Sequence, residues 1–462
     1  MFRHYYKWRK KSRYREVSRV CVPLVTGMAA TTVMEFTDRI FLSHYSVDAI
    51  SAVVPAGVSV FLILCFLGGI AGYSAVFIAQ YHGAGRPEKI AATLWQGIFF
   101  TVFSGAILLL LASFVTIPLF TLVGHSPEVR ELEAQYFIIL CQGGVLHVAI
   151  QALSSFFTGR GMTRPVMLAN IVGMVVNVPL NYALINGVWG MPELGIRGAA
   201  IATVVSWGVV VLCLAPPIFS KYFRREFKLF ESMAFDWDIQ LRLLRYGVPG
   251  ALQFSLDVFA FTFFILIVGR MGTVPLAASN IVISISSLAF MPALGFSFGM
   301  SSLAGQALGK GRPEEARIAA WSGIHILMVY TLSLGVAFVF VPESIISVFM
   351  NQGEMGGDYK EILEMGTILL RLVAMYILLD VFYMIFAAVL KGAGDTRFLL
   401  FAISGSTLCC ILIPLSVGIN YLGMGIYAAW GCIVLFIATL SILISWRYAG
   451  GKWEKMLVIE KG

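Results

Sequence analysis

The chain alternates long apolar stretches with short polar segments. A helix needs about 20 apolar residues to cross a bilayer, and several stretches exceed this, which predicts tilted or protruding helices. The pattern predicts twelve spans, at residues 17–43, 51–80, 91–118, 132–157, 165–186, 196–219, 240–270, 276–306, 317–341, 362–390, 398–418 and 424–446. The predicted fold class is therefore an all-α polytopic membrane protein.

Composition favours a membrane protein over a large soluble one. Of the 462 residues, 59% are hydrophobic and only 13% are charged, whereas soluble domains contain about 25% charged residues. The net charge is +8, and most Lys and Arg residues fall in the tails and the loops of one face. This positive-inside pattern predicts cytoplasmic termini, and we expect a prokaryotic plasma (inner) membrane. The basic N-terminal tail is then a contact with membrane lipids, and no nucleic-acid partner is expected.

One segment of the sequence occurs twice. Residues 80–88 (Gln-Tyr-His-Gly-Ala-Gly-Arg-Pro-Glu) match residues 306–314 (Gln-Ala-Leu-Gly-Lys-Gly-Arg-Pro-Glu), at an offset of 226 residues. Each copy is predicted to be a tight turn, in which a glycine with positive φ ends one helix and proline begins the next. A second pair, 159–164 and 392–397, matches at an offset of 233. The chain is therefore two copies of one unit.

The duplication predicts two pseudo-symmetric six-helix bundles, at residues 17–219 and 240–446. We expect a cytoplasmic linker at 220–239 and cytoplasmic tails at 1–16 and 447–462. Because six is an even number, both copies begin on the same side of the membrane, and a pseudo-two-fold axis along the membrane normal relates them. Two such lobes are expected to hold a substrate between them and to open to each side in turn.

Three carboxylates lie inside predicted spans, where charge is costly and therefore marks candidate functional sites. They are Asp38 in span 1, Asp257 in span 7 and Asp380 in span 10. Asp257 and Asp380, which lie in the same half, could bind a cation between their oxygen atoms or exchange a proton during transport, and the sequence alone does not choose between these mechanisms. The alternative is a structural ion pair or a polar contact between helices.

Several polar and aromatic residues accompany these acids as candidates to line a substrate cavity. Asparagine residues on one face of span 5 either line the cavity or hold helices together. Aromatic rings near the second-half acids either bind an organic cation or pack against lipid and helices. The predicted cavity residues are Glu35, Asn177, Asn181, Phe254, Tyr376 and Tyr383. His147 occupies the position of the first copy that corresponds to Asp380. This symmetry suggests a functional role, but the interpretation that we favour is a packed, neutral histidine.

The sequence gives little support for an ATP-driven pump or for a membrane enzyme. Residues 305–310 (Gly-Gln-Ala-Leu-Gly-Lys) are one residue short of a phosphate-binding loop, and Gly311 follows where that loop has Ser or Thr. An ion gradient is therefore the expected source of energy. The sequence shows no metal-ligand cluster and no nucleophile–base pair, so we expect no enzyme and no cofactor besides the coupling ion.

The sequence resembles the multidrug and toxic compound extrusion (MATE) transporters, in the NorM-like branch. Besides the paired turns, the resemblance rests on residues 36–42 (Phe-Thr-Asp-Arg-Ile-Phe-Leu) and 177–182 (Asn-Val-Pro-Leu-Asn-Tyr). It implies a MATE-type fold and export of organic cations and related toxic compounds in exchange for Na⁺ or H⁺. Two positions depart from the pattern: Asp257 stands where glutamate is usual, and Asn181 stands where an aspartate would complete a first-half site.

We therefore predict a secondary efflux transporter, acting as a monomer on small organic cations or other amphipathic toxic compounds. Asp257 and Asp380 are the predicted coupling and substrate-cation residues, and Asp38 is a second exchange site. The alternative function is a lipid-linked precursor flippase of the same superfamily, which would need a basic central cavity for a pyrophosphate. A membrane enzyme or receptor would show no gradient-coupled flux.

Overall fold

A computed structural model describes residues 12–123, 125–349, 359–421 and 423–460. Within these ranges the chain is helical and contains no strand. The predicted basic tail at 1–16 lies outside the described residues as far as residue 11.

The described residues contain twelve helices that are long and apolar enough to cross a membrane, which confirms the predicted number. Their ends differ from the predicted ones by no more than five residues. In chain order, spans 1 to 12 are Tyr14–Tyr45, Val47–Gly83, Pro87–Phe114, Pro127–Thr158, Arg164–Asn186, Ile196–Ile218, Trp237–Met271, Thr273–Gly309, Pro313–Phe340, Tyr359–Ala393, Thr396–Ile419 and Ile426–Ala449.

Some spans are interrupted, and shorter helices lie between the spans or, in one case, after the last of them. Span 2 is broken at Tyr73 into Val47–Gly72 and Ser74–Gly83. Span 7 ends in a 3₁₀ turn, and span 11 contains a π-helical segment at Thr407–Leu412. The shorter helices are Thr116–Val123, Lys221–Glu226, Pro342–Ser347 and the 3₁₀ turn Lys452–Lys455.

The repeated turns have the predicted geometry. Gly85 and Gly311 have φ values of 71° and 67°, in the left-handed region that favours glycine. Pro87 and Pro313 then begin spans 3 and 9, where their missing N–H groups cost little. The turn predicted from the duplicated sequence is confirmed in both copies.

The structure groups the chain into two compact units, which are described separately. The first unit consists of Val22–Ala251, Gly305–Gly311 and Leu457–Gly462. The second consists of Met1–Cys21, Leu252–Ala304 and Arg312–Met456. The bundles and tails expected from the sequence stay a prediction.

Inside the first unit, the ends of spans 2 and 8 meet at two glycine residues. A Cβ atom on Gly83 would overlap the carbonyl oxygen of Gln306, and one on Gly309 would overlap that of Gln80. The two contacts are reciprocal, because each glycine and each glutamine is 226 residues from its counterpart. The repeated segment is therefore a close backbone contact as well as a turn.

Residues 457–460, the terminal strap, also pack into the first unit. Val458 is buried, and its N–H donates to Gln80 Oε1 at 2.9 Å. Glu460 Oε2 accepts hydrogen bonds from Tyr81 Oη at 2.7 Å and Arg242 Nη1 at 2.6 Å. Burial alone would raise the pKa of the Glu460 carboxyl, but a backbone hydrogen bond, these two side chains and the charge of Arg242 lower it to about 2. The strap is thus held by specific polar contacts.

The residues just before the strap pack into the second unit. Trp453 is fully buried, and its indole N–H donates to the carbonyl oxygen of Tyr448 at 3.0 Å. The rings of the same two residues stack with centroids 5.3 Å apart, and Glu454 forms an ion pair with Arg317. The described part of the predicted cytoplasmic tail is therefore folded against the protein.

Candidate functional site

In the first unit, three spans bring polar side chains to Asp38. Asp38 lies on span 1 and is only 7% exposed. Its Oδ1 accepts a hydrogen bond from Asn181 Nδ2 on span 5. Its Oδ2 lies 3.2 Å from Thr203 Oγ1 on span 6, which can donate to it. A buried carboxylate is tolerated where such donors replace the water it has lost.

The amide groups beside this carboxylate have unused bonding capacity. Asn177 and Asn181 are fully buried and lie one helical turn apart on span 5. Neither polar atom of the Asn177 amide has a hydrogen-bond partner, and Asn181 Oδ1 has none, within the described residues. Leaving such an atom unpaired costs about 1–3 kcal/mol. The cluster therefore offers free oxygen ligands and a free amide donor beside a carboxylate.

The two charged neighbours of Asp38 on span 1, Glu35 and Arg39, are exposed, whereas Asp38 is buried. Glu35 lies one turn before Asp38 but is exposed. Arg39 is also exposed, and the described residues contain no ion pair between Arg39 and Asp38. The structural ion pair considered as an alternative for Asp38 is therefore absent from this geometry.

In the second unit, span 10 donates a hydrogen bond to Asp257 of span 7. Tyr383 Oη donates to Asp257 Oδ2 at 2.9 Å. Gln253, one turn before Asp257, places its Nε2 3.4 Å from the same oxygen and 3.2 Å from Tyr383 Oη. Asp257 Oδ2 therefore has one donor on span 10 and one on its own helix.

Asp380 lies one turn before Tyr383 on the same face of span 10. Asp380 and Asp257 are both half-buried, whereas Tyr376 and Tyr383 are only 6% and 4% exposed. Because residues three or four positions apart share a helix face, Tyr376, Asp380 and Tyr383 form one row. Both predicted second-half acids therefore adjoin Tyr383, Asp257 by a hydrogen bond and Asp380 by helical spacing.

The remaining residues singled out from the sequence form no hydrogen bond to these carboxylates within the described residues. Phe254 is half-buried on span 7, and the described residues show no ring stacked on it. The His147 ring packs edge-on against Trp207 with centroids 5.2 Å apart. Asn170 packs on Gly27 of span 1, which is the packing role considered for the span 5 asparagines.

Thr203 and Gln253 are not among the site residues predicted from the sequence. Gln253 precedes Asp257 by four residues, so helical spacing alone would have placed it on the same face. Thr203 is one of few polar residues in span 6. Its distance from Asp38 depends on how spans 1 and 6 pack, which periodicity does not encode.

The chemistry of these clusters suits a hard monovalent cation or a proton. The described residues contain no group of three or more His, Cys, Asp or Glu side chains that could hold a metal ion. Carboxylate, amide and hydroxyl oxygens are instead the ligands preferred by hard cations. The Asp38 cluster provides all three kinds.

Comparisons with known proteins place this geometry in a family. A family model described as MatE matches residues 23–183 and 249–417. The chain is 26% identical over 454 residues to the probable multidrug resistance protein NorM of Thermotoga maritima, covering 97% of this chain and 94% of that protein.

Solved structures show the same fold. An outward-facing multidrug resistance MATE family transporter of the MOP superfamily is 21% identical, with a TM-score of 0.85 over 96% of this chain and 98% of that one. A MOP superfamily transporter from Pyrococcus furiosus, whose binding pocket is described as having reversed polarity, is 21% identical, with a TM-score of 0.86 over 95% and 96% of the two chains. The predicted NorM-like, MATE-type fold is confirmed, and members of this family are transporters and not enzymes. The chain is an integral multi-pass membrane protein that belongs to the MatE family of multidrug transporters.

Proposed function

We propose that the protein is a secondary active transporter that exports organic cations and other amphipathic toxic compounds in exchange for Na⁺ or H⁺. The observation that carries this proposal is a buried carboxylate, Asp38, beside unpartnered amide oxygens. The description of the Thermotoga maritima relative as a multidrug resistance protein supports the substrate class.

The Asp38 cluster is the proposed ion site of the first unit. A cation would be bound by the Asp38 carboxylate, the free Oδ1 atoms of Asn177 and Asn181, and the Thr203 hydroxyl. A proton would instead bind to the carboxylate, with the same hydroxyl as its neighbour. Because Asn181 is neutral, Asp38 supplies the only carboxylate among these four side chains.

Asp257 and Asp380 are the proposed coupling and substrate-cation residues of the second unit. The donors on Asp257 stabilise its negative charge, which attracts a cation. Tyr376 and Tyr383 flank Asp380 on span 10, and aromatic faces beside a carboxylate favour lipophilic organic cations. Na⁺ binding between Asp257 and Asp380 is the alternative role for this pair.

The test is gradient-driven efflux from liposomes containing the purified protein. Efflux of a fluorescent organic cation is measured under an imposed Na⁺ gradient and, separately, an imposed H⁺ gradient. We expect Asp38→Asn, Asp257→Asn and Asp380→Asn each to lose most of the gradient-driven flux. Asp48→Asn is the matched control, because Asp48 is an exposed carboxylate in the first turn of span 2. The proposal is wrong if Asp257→Asn and Asp380→Asn both transport as well as the control.

The flippase alternative is not favoured, because the hydrogen-bond partners of Asp38 and Asp257 are amide and hydroxyl groups and not basic side chains that could bind a pyrophosphate. We further propose that the protein acts as a monomer, with cytoplasmic termini, in a prokaryotic inner membrane. We also propose that the substrate site opens to one side of the membrane and then to the other.

A further inference from the structure

The linker between spans 6 and 7 has one buried face. Phe227 and Leu229 are 3% and 0% exposed and belong to the core of the first unit. The guanidinium of Arg160 lies over the ring of Phe156 at 3.9 Å and over the linker rings Phe223 and Phe227 at 4.5 and 4.9 Å. Such cation–π contacts fix the short helix Lys221–Glu226 to the end of span 4.

Side chains of span 3 hold the rest of the linker backbone. The indole N–H of Trp95 donates to the carbonyl oxygen of Leu229 at 2.7 Å, and Gln96 Nε2 donates to that of Ala234 at 2.9 Å. A loop whose carbonyl groups are bonded in this way presents a fixed outer surface. The orientation of its outward side chains is therefore a property of the fold.

The outer surface of the linker combines aromatic and basic side chains. We call the following exposed residues the linker face: Lys221, Tyr222, Arg224, Arg225, Lys228 and Phe230. Tyr222 is 70% exposed, and the Arg224 guanidinium lies 4.6 Å from the centroid of the Phe230 ring. Residues 221–230 contain four basic residues and a single acidic one. Within the described residues, none of the four basic side chains forms an ion pair.

The linker face must lie close to the bilayer surface. Span 6 ends at Ile218, and the linker face begins three residues later, at Lys221. Unpaired basic groups with neighbouring exposed rings suit the boundary between anionic headgroups and acyl chains. We propose that the linker face binds the phosphate groups of anionic phospholipids. This site is independent of the proposed transport function.

The charge pattern favours a membrane over other anionic partners. The rings of Tyr222 and Phe230 are exposed beside the basic groups, and a lipid headgroup region accommodates both kinds of side chain at once. A basic side chain near an anionic surface favours binding by about fivefold. Several together should give a clear preference for anionic over zwitterionic lipid.

The experiment uses the full chain in liposomes, with a tryptophan at the linker face as reporter. Tyr222→Trp is reconstituted with phospholipids brominated on their acyl chains, either phosphatidylglycerol in a phosphatidylcholine background or the reverse. The reporter signal is the quenching of this variant minus that of the unsubstituted protein. We expect brominated phosphatidylglycerol to reach half-maximal quenching at a mole fraction about fivefold or more below that of brominated phosphatidylcholine.

Two further proteins separate specific binding from general surface charge. In the Tyr222→Trp background, Arg224→Gln, Arg225→Gln and Lys228→Gln together should remove most of the preference and leave only the contribution of Lys221. The matched control removes three exposed basic residues elsewhere that form no ion pair within the described residues, by Lys310→Gln, Arg397→Gln and Lys455→Gln. This control should keep the preference.

A salt titration of Tyr222→Trp tests the same point without removing any charge. Salt of 0.5 M should weaken the preference, because it screens charges at the surface. Equal quenching by the two brominated lipids in Tyr222→Trp would overturn the proposal. So would loss of the preference in the control triple variant, because any basic residues would then suffice.

Discussion

Replacing Thr203 by valine removes a hydroxyl from the Asp38 cluster and leaves the side-chain volume almost unchanged. A hydrogen bond to a charged group contributes about 1.5–3 kcal/mol. The distance of 3.2 Å from Thr203 Oγ1 to Asp38 Oδ2 is long for a hydroxyl donor, and Ala199 O competes for the same proton at 3.0 Å. We therefore expect a contribution at the lower end of this range, about 1.5 kcal/mol. Since about 1.4 kcal/mol corresponds to a tenfold change in affinity, the loss of the hydroxyl should change ion affinity by about tenfold.

The direction of this change identifies the coupling ion. If Na⁺ binds, the hydroxyl is an oxygen ligand, and Thr203→Val should raise the half-maximal Na⁺ concentration for efflux by about tenfold. If H⁺ binds, the hydroxyl stabilises the anionic carboxylate, and its loss should lower the half-maximal H⁺ concentration by a similar factor. The assay is initial efflux rate in liposomes against the concentration of each ion.

Thr262→Val is the matched control for this experiment. The Thr262 hydroxyl donates to the carbonyl oxygen one turn earlier at 2.9 Å, as Thr203 does to Ala199 O. Unlike Thr203, it forms no hydrogen bond to a carboxylate within the described residues. Equal changes in the two variants, or no change in Thr203→Val, would show that Asp38 and Thr203 do not form the coupling site.

Two predictions concern stability, measured as thermal unfolding of the purified protein in detergent. The pKa of Glu460 is lowered, so its pairing with Arg242 contributes fully above the ordinary value near 4.5 and is lost as pH falls through about 2. Glu460 is 37% exposed, so screening limits the loss in Glu460→Gln to about 1–2 kcal/mol at neutral pH, and this difference from the unsubstituted protein should shrink toward pH 2. Gly83→Ala should destabilise by about 1–3 kcal/mol, because its methyl group would overlap Gln306 O, whereas Gly57→Ala meets no atom within 4 Å and should not destabilise. Equal unfolding temperatures for the two alanine variants would contradict the close contact.

The sequence was sufficient for the features that depend on local pattern. Apolar length predicted all twelve spans, and the Gly-Arg-Pro-Glu repeat predicted a positive φ at Gly85 and Gly311 and helix starts at Pro87 and Pro313. These features follow from residues that are neighbours in the chain. Charge inside an apolar span likewise marked Asp38 before any geometry was known.

Contacts between distant residues could not be predicted in this way. Thr203 is 165 residues from Asp38, and Val458 is 378 residues from Gln80. Such pairs are set by the packing of several helices at once, to which a single sequence offers no guide. For the same reason, the charge pattern of the linker at 220–239 and of the C-terminal tail does not reveal that each has a buried face.

The terminal strap has a practical consequence for protein production. An affinity tag fused after Gly462 would be separated by only two residues from Glu460, whose carboxylate contacts Tyr81 and Arg242. A bulky or positively charged tag at that point would compete with these contacts and bias any comparison of variants. A cleavable tag before Met1 avoids this perturbation and is the better choice for purification.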